Sequence, residues 1–345
     1  MLSEQLSLND FLRSVLPLLE QHGFSAGTEL SILRGGANNR VFRVADSNRE
    51  AVLKHYFRNP GDPRDRFRTE KTFYDLLWNC GVRSIPPPLG WEEELRVGLF
   101  GFVQGRKLTP VEVTRERIQE AARFVVELNR RREQPSAKTV ENASEACFSI
   151  KEHLAIVERR VARLQVVEVQ SSLDAAAGEF VKEKLQPAWK RVQEHVLKQS
   201  KAGTQQAKPL AQNARCLSPS DFGFHNSLLG ENGSLTFFDF EYAGWDDPAK
   251  LVCDFFCQPE LPAGLEHWDT FAGEVGTGLG AGQEWQDRAK LLLPAYQVKW
   301  CCIMLNDFVR TDQLRRDFAL DRATIEVRKQ KQLEKAARAL ARIKT

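Results

Sequence analysis

Asp221 and Asn226 stand five residues apart in the stretch LSPSDFGFHNSLLGENGSLTFFDFEYAGW, Leu217 to Trp245, and Asp239 follows after a glycine-bearing turn and an apolar run. All three side chains offer oxygen. Such groups suit a hard divalent cation, and a carboxylate beside a hydroxyl can orient it and accept its proton. Together they suit one chemistry, the placing of a hydroxyl nucleophile and a divalent cation against a nucleotide's phosphates. Capping of turns is the commonest other use of Asp and Asn. Asp221 and Asn226 alone would fit that use, and Asp239 downstream shifts the balance.

The elements that must position these groups are also readable. Gly230 to Gly233 and Leu235 to Phe240 predict two short strands of a hairpin. Far upstream, Leu8 to Glu20 carries apolar residues at helical spacing (Leu12, Val15, Leu16, Leu18, Leu19). Strands are predicted at Leu30–Leu33, Arg40–Val44 and Ala51–Lys54, with Gly35 and Gly36 in the turn after the first. Glycines let a backbone approach phosphates closely and leave its N–H groups free to bind them. A helix over Arg64–Trp78 would carry Glu70 and turn Phe67, Phe73, Leu76 and Leu77 inward. Ser84 to Pro88 is extended, and Leu89–Trp91 and Leu95–Val103 read as strands.

From Thr109 onward the pattern is helical: Pro110–Arg131, Phe148–Leu164 and Leu173–Gln199, then polar residues from Lys201 to Ala211 that lead into the central stretch. Asp247-Pro248 opens a helix through Phe256 with Lys250 and Asp254 on one side. Gly276 to Gly282 is not set between a strand and a helix, so it reads as a flexible connection and not a nucleotide loop. Tyr296–Val309 is a core helix. Arg322–Lys344 is a long basic helix whose apolar positions form a narrow stripe, which predicts that it is dispensable for folding.

The spacing Asp221 to Asn226 resembles the catalytic loop of protein kinases. The segment Asp239-Phe240-Glu241-Tyr242-Ala243-Gly244 resembles the metal motif of small-molecule kinases. On these residues the chain resembles the aminoglycoside phosphotransferase/choline kinase family. That resemblance implies an α+β, two-lobed protein-kinase-like fold, with a small β-sheet lobe plus one helix over residues 1–103 and a mostly helical lobe over 104–345. It implies transfer of the γ-phosphate of ATP to a hydroxyl of a small molecule such as an amino alcohol, aminoglycoside or sugar. Asp221 is then the catalytic residue, and Asn226 and Asp239 hold Mg2+. Lys54, fixed by Glu70, clamps the α/β-phosphates, while Gly35, Gly36 and Asn39 match the family's loose Gly-Gly-x-x-Asn loop. The hinge falls at Leu99–Val103, and Asp254 is the candidate brace of the catalytic loop.

One position departs from the family pattern. Two residues before Asp221 the family carries His or Asn, and this chain carries Pro219, which has no N–H to donate. His225 stands where a small or acidic residue is usual; it either orients the loop or packs, and packing is the expectation. Pro219 and the basic tail motivate a competing reading, a nucleotide-binding pseudokinase with a regulatory or scaffolding role. Retention of Lys54, Asp221, Asn226 and Asp239 argues against it.

Composition narrows the class further. The chain has 345 residues, 42% hydrophobic and 28% charged, which suits a globular protein of two lobes. No apolar run is long enough for a membrane span. The first residues include acids and lack a basic leader, so a cytoplasmic location is expected. Seven cysteines without Cys-x-x-Cys pairs suit buried free thiols better than zinc or disulfides. Net charge is +3, concentrated after Arg310, where eleven basic residues face five acidic ones. The body therefore has no nucleic-acid footprint, and the expected partner is a small-molecule hydroxyl acceptor.

Overall fold

The computed structural model describes residues 8–25, 27–33, 39–57, 64–166, 169–201, 209–309 and 322–344. Gly35 and Gly36 lie outside them. The described residues form two lobes, one built on an antiparallel sheet and one mostly helical.

Alternation builds the first lobe. Strands β1 (Glu29–Ile32), β2 (Asn39–Ala45), β3 (Glu50–Tyr56), β4 (Pro88–Glu92) and β5 (Val97–Gly101) form one antiparallel sheet in the order β1-β2-β3-β5-β4. Helix α1 (Leu8–Gln21) lays Phe11, Val15, Leu18 and Leu19 on one face, against Phe42, Val44, Ala51, Leu53, Val97 and Leu99. The other face receives α2 (Arg66–Asn79), whose first turn is capped by the Asp65 carboxylate accepting from Arg68 N. Successive strand residues point to opposite faces. Ala51 and Leu53 therefore meet α1, while Lys54 turns toward α2.

The second lobe is mainly helical: α3 (Arg115–Asn129), α4 (Ile150–Arg163), α5 (Ser172–Phe180), α6 (Gln186–Lys201), α7 (Pro248–Cys257), α8 (Trp268–Leu279), α9 (Glu284–Met304) and a last helix, Arg322–Leu340. Two small antiparallel ribbons interrupt it. Strand β6 (Cys216–Ser218) pairs with β9 (Gly244–Asp246), and β7 (Ser227–Leu229) pairs with β8 (Leu235–Phe237). The hairpin thus forms with its first strand before Gly230, and Gly230–Ser234 makes the turn. One buried cluster runs from Phe73 and Leu77 of α2 through Phe237 and Phe240 to α9, so the lobes share a core.

Four differences from the sequence reading have physical causes. Pro110–Glu112 is a separate short turn before α3. A wider π-helical turn at Val181–Leu185 links α5 to α6, where Pro187 removes an N–H from the ladder. Gly276 and Gly278 are helical, because α8 must approach its neighbours closely: a Cβ on Gly278 would lie 2.3 Å from Val126 of α3, and one on Gly276 2.9 Å from Trp285 of α9. The chain leaves α8 only at Gly280, at φ 63°. Finally, the last helix is not a solvated appendage. Ala336 is fully buried, and Leu333, Ala339, Leu340 and Ile343 pack against the main core.

Candidate active site

Lys54 enters the space between the lobes from β3 and is almost wholly buried. Its ammonium donates to Glu70 Oε2 of α2 at 2.6 Å and to Asp239 Oδ1 at 2.6 Å, with a Glu241 oxygen 4.0 Å away. Glu70 Oε1 accepts from Phe240 N at 2.9 Å, so one carboxylate holds both the lysine and the backbone next to Asp239. The Asn39 amide donates to Glu241 from β2. Asp239 takes a left-handed φ of 70°, which Asp tolerates better than most residues.

Three acids around one ammonium leave an excess of negative charge. Burial alone would lower the Lys54 pKa, yet Asp239, Glu70 and Glu241 outweigh it and hold the ammonium above the ordinary lysine range. Burial, with Asp239 and Glu241, pushes Glu70 up to about 7 against the pull of Lys54. Glu70, Asp239 and Glu241 each offer an oxygen within 4.8 Å of the others. This is a set of hard oxygen ligands with charge to spare, and it fits a divalent cation.

The second half of the site is the loop after β6. Strand β6 is pinned by Asn129 of α3, whose amide donates to Leu217 O at 2.9 Å and accepts from Leu217 N at 2.8 Å. The chain then turns at Ser220, at φ 66°. The Asn226 amide nitrogen donates to Asp221 O at 3.0 Å. Phe238 N donates to Asn226 O at 3.0 Å and so ties the Asp221 loop to the Asp239 segment. His225 does more than pack: its Nε2 lies 3.3 Å from Asp221 Oδ1. Lys107, from the segment after β5, donates to His225 O and lies 4.4 Å from the centre of the Phe238 ring. Burial draws the Lys107 ammonium down to about 8, partly offset by Asp239.

The structure therefore brings Lys54, Glu70 and Asp239 into direct contact, joins Asn39 to them through Glu241, and links Asn226 and Asp221 to Asp239 through Phe238. Asp254 is not at this loop. It is buried in α7 and accepts from Lys299 Nζ at 2.8 Å and from Trp300 Nε1 at 2.8 Å, since a helix residue seven positions beyond its cap faces α9. Two participants, Glu241 and Lys107, were given no part in the site from sequence, and His225 was expected to pack. Glu241 carried a usable signal, because it stands two residues after Asp239. Lys107 and the ring contact of His225 carried none, since each depends on how distant loops close.

A family model described as a phosphotransferase enzyme family matches residues 29–291, well over half of the chain. The chain belongs to this phosphotransferase family. Solved structures of similar fold include a choline kinase from Streptococcus pneumoniae, 13% identical over 96% of this chain and 98% of that one, TM-score 0.58. An ethanolamine kinase from Plasmodium vivax is 14% identical over 97% and 89%, TM-score 0.55. A spectinomycin phosphotransferase in an AMP-bound complex is 13% identical over 96% and 99%, TM-score 0.63. No curated protein matches the sequence. At such identity these neighbours establish the phosphotransferase fold. Among its described residues this phosphotransferase has no helix long and apolar enough to cross a membrane.

Proposed function

We propose that the protein is an ATP-dependent phosphotransferase that moves the γ-phosphate to a hydroxyl of a small molecule. The observation that carries this reading is the Lys54 ammonium, held between Glu70 of the sheet lobe and Asp239 of the helical lobe, with the Asp221–Asn226 loop tied to the same segment. Lys54 would bind the α/β-phosphates, kept in place by Glu70. Asp221, whose side chain is 37% exposed, would face the acceptor. The hydroxyl oxygen bonds to the γ-phosphorus, the β–γ bridging P–O bond breaks, and its electron pair leaves with ADP. The hydroxyl proton passes to the Asp221 carboxylate. Asn226, Asp239 and the nearby Glu241 carry the oxygens that would hold Mg2+. The metal supplies positive charge against the phosphates. Asn39 would contact the phosphates, and the family resemblance assigns the same role to Gly35 and Gly36.

Neighbours of this fold act on choline, ethanolamine and spectinomycin, which supports a small hydroxyl-bearing acceptor. Four aromatics could have formed a cage for a quaternary amine. They are used elsewhere: Trp245 donates to Ala137 O, Trp300 to Asp254, Trp268 is buried against Phe256, and Tyr242 lies under Arg64 and Arg66. Asp246 and Asp247 are buried and paired with Lys250, and with His153 and Arg288, so they do not serve a cationic acceptor. The hydroxyl is the feature the acceptor must have. The test is a radiolabelled transfer screen with ATP and Mg2+ against amino alcohols, aminoglycosides and sugars. Labelled product in one class supports the reading; tight nucleotide binding without transfer to any of them would move it to the pseudokinase alternative.

A further inference from the structure

We propose that His225 is the positioning residue of the Asp221 carboxylate, holding one of its oxygens so that the other faces the acceptor hydroxyl. The inference rests on the function proposed above. It starts from what the loop lacks. Pro219 has no N–H to donate, and the sole imidazole of the loop stands four residues after Asp221. A carboxylate only accepts, so the contact between His225 Nε2 and Asp221 Oδ1 at 3.3 Å requires the proton on Nε2. Nδ1 is buried and has no hydrogen-bond partner among the described residues, which is consistent with the deprotonated nitrogen.

The ring is seated rather than free. A Cβ on Gly223 would lie 2.8 Å from His225 Nδ1 and 3.0 Å from Gln258, so the bare glycine leaves the room in which the imidazole stands. Gly223 has φ 169°, an extended conformation open to any residue, so the fit of the ring and not the backbone calls for glycine there. Lys107 donates to the carbonyl of His225. At the other end, Asn226 holds the carbonyl of Asp221. The loop is thus closed at side chain and backbone, and the orientation of Asp221 depends on two consecutive residues, His225 and Asn226. In the transfer step His225 donates its Nε2–H throughout and neither gains nor loses a proton. The proton of the hydroxyl goes to Asp221.

The role is tested by steady-state kinetics with the acceptor from the screen, or with water as acceptor and phosphate release as the readout. His225→Ala is expected to lower kcat by about 10²-fold, the scale of a small misplacement of a catalytic group, with KM for ATP little changed. His225→Gln, which can present a donor from its Nε2, is expected to recover much of the loss. Gly223→Ala keeps the histidine but displaces its ring, and is expected to reproduce the fall in kcat with unchanged ATP affinity. Independently of any variant's folding, side-chain 15N spectra of the wild type should show the His225 proton on Nε2, and a proton on Nδ1 overturns the contact. Wild-type kcat in both His225→Ala and Gly223→Ala overturns the positioning role while leaving the enzyme reading intact. Absence of transfer to every acceptor and to water in the wild type overturns the enzyme reading itself, and with it the role of His225.

Discussion

On the proposed roles, Asp221 faces the acceptor while Lys54 and Asp239 face the nucleotide, so the two functions should separate by mutation. Asp221→Asn keeps the size of the side chain and its contact with His225, but its amide cannot take the proton of the hydroxyl. Phosphoryl transfer is expected to fall by at least about 10²-fold, with ATP affinity measured by calorimetry near the wild-type value. Most of this arrangement was legible from residue type and spacing. Lys54 followed from its place on the third strand, Glu70 from its place on the next helix, and Asp239 from its place beyond the hairpin. Glu241 was visible but not given a role. The ring contact of His225 was hidden because a histidine's direction is set by what its loop leaves open, here the bare Gly223 and the left-handed turn at Ser220. The hold of Lys107 on the same loop joins segments 118 residues apart, and no local pattern encodes it.

Elements were legible where periodicity ruled and obscure where close approach did. The five strands and α2 fell near their expected places because alternation and an apolar face are local signals. The glycines of α8 look like a loop in sequence, yet they are helical because α3 and α9 leave no space for side chains. Gly278→Ala would drive a methyl into Val126, and such overpacking costs about 1–3 kcal/mol. The expected outcome is a melting temperature lower by several degrees, with ATP affinity preserved because the hydrogen bonds of Lys54, Glu70 and the Asp221–Asn226 loop are made without α8. A second prediction concerns Glu145, in the segment before α4. Its Oε2 accepts from Arg160 at 2.6 Å. Burial raises its carboxyl, but Arg160, Lys299 and Lys250 outweigh this and hold it at about 2, against an ordinary 4.5. A depressed folded-state pKa stabilises the fold above the unfolded value, and that contribution is lost as pH falls from about 4.5 toward about 2. Glu145→Gln should lower stability at neutral pH and flatten the acid limb in that window, measured by denaturant unfolding at a series of pH values.

At the scale of the molecule, the basic last helix is part of the core. Lys329 pairs with Asp174 at 2.9 Å and Arg328 with Asp307 at 2.8 Å, while the apolar stripe lies against the main cluster. Leu333, Leu340 and Ile343 are half-buried, so each contributes less than the full-burial value of about 1.5–3 kcal/mol, yet with Ala336 and the two ion pairs they make a large share of a domain's net stability of about 5–15 kcal/mol. Removal of residues 322–345 is therefore expected to abolish a cooperative thermal transition. A truncated chain that melts like the full one would show the stripe to be dispensable, as its narrowness in the sequence suggested. The ammonium of Lys54 has a consequence of another kind. On the proposed roles it is an internal counterion hydrogen-bonded directly to Asp239, so a metal ion arriving alone would have to compete with it for that carboxylate. A nucleotide would change this, because its phosphates would offer the lysine a new anionic partner and release the aspartate. Metal and nucleotide would then strengthen each other's binding, and by reciprocity the same factor would apply in both directions. Calorimetry should find Mg2+ weak on the free protein and tight in the presence of ATP, and Lys54→Met should narrow the gap, by loosening the nucleotide while easing the entry of the lone ion.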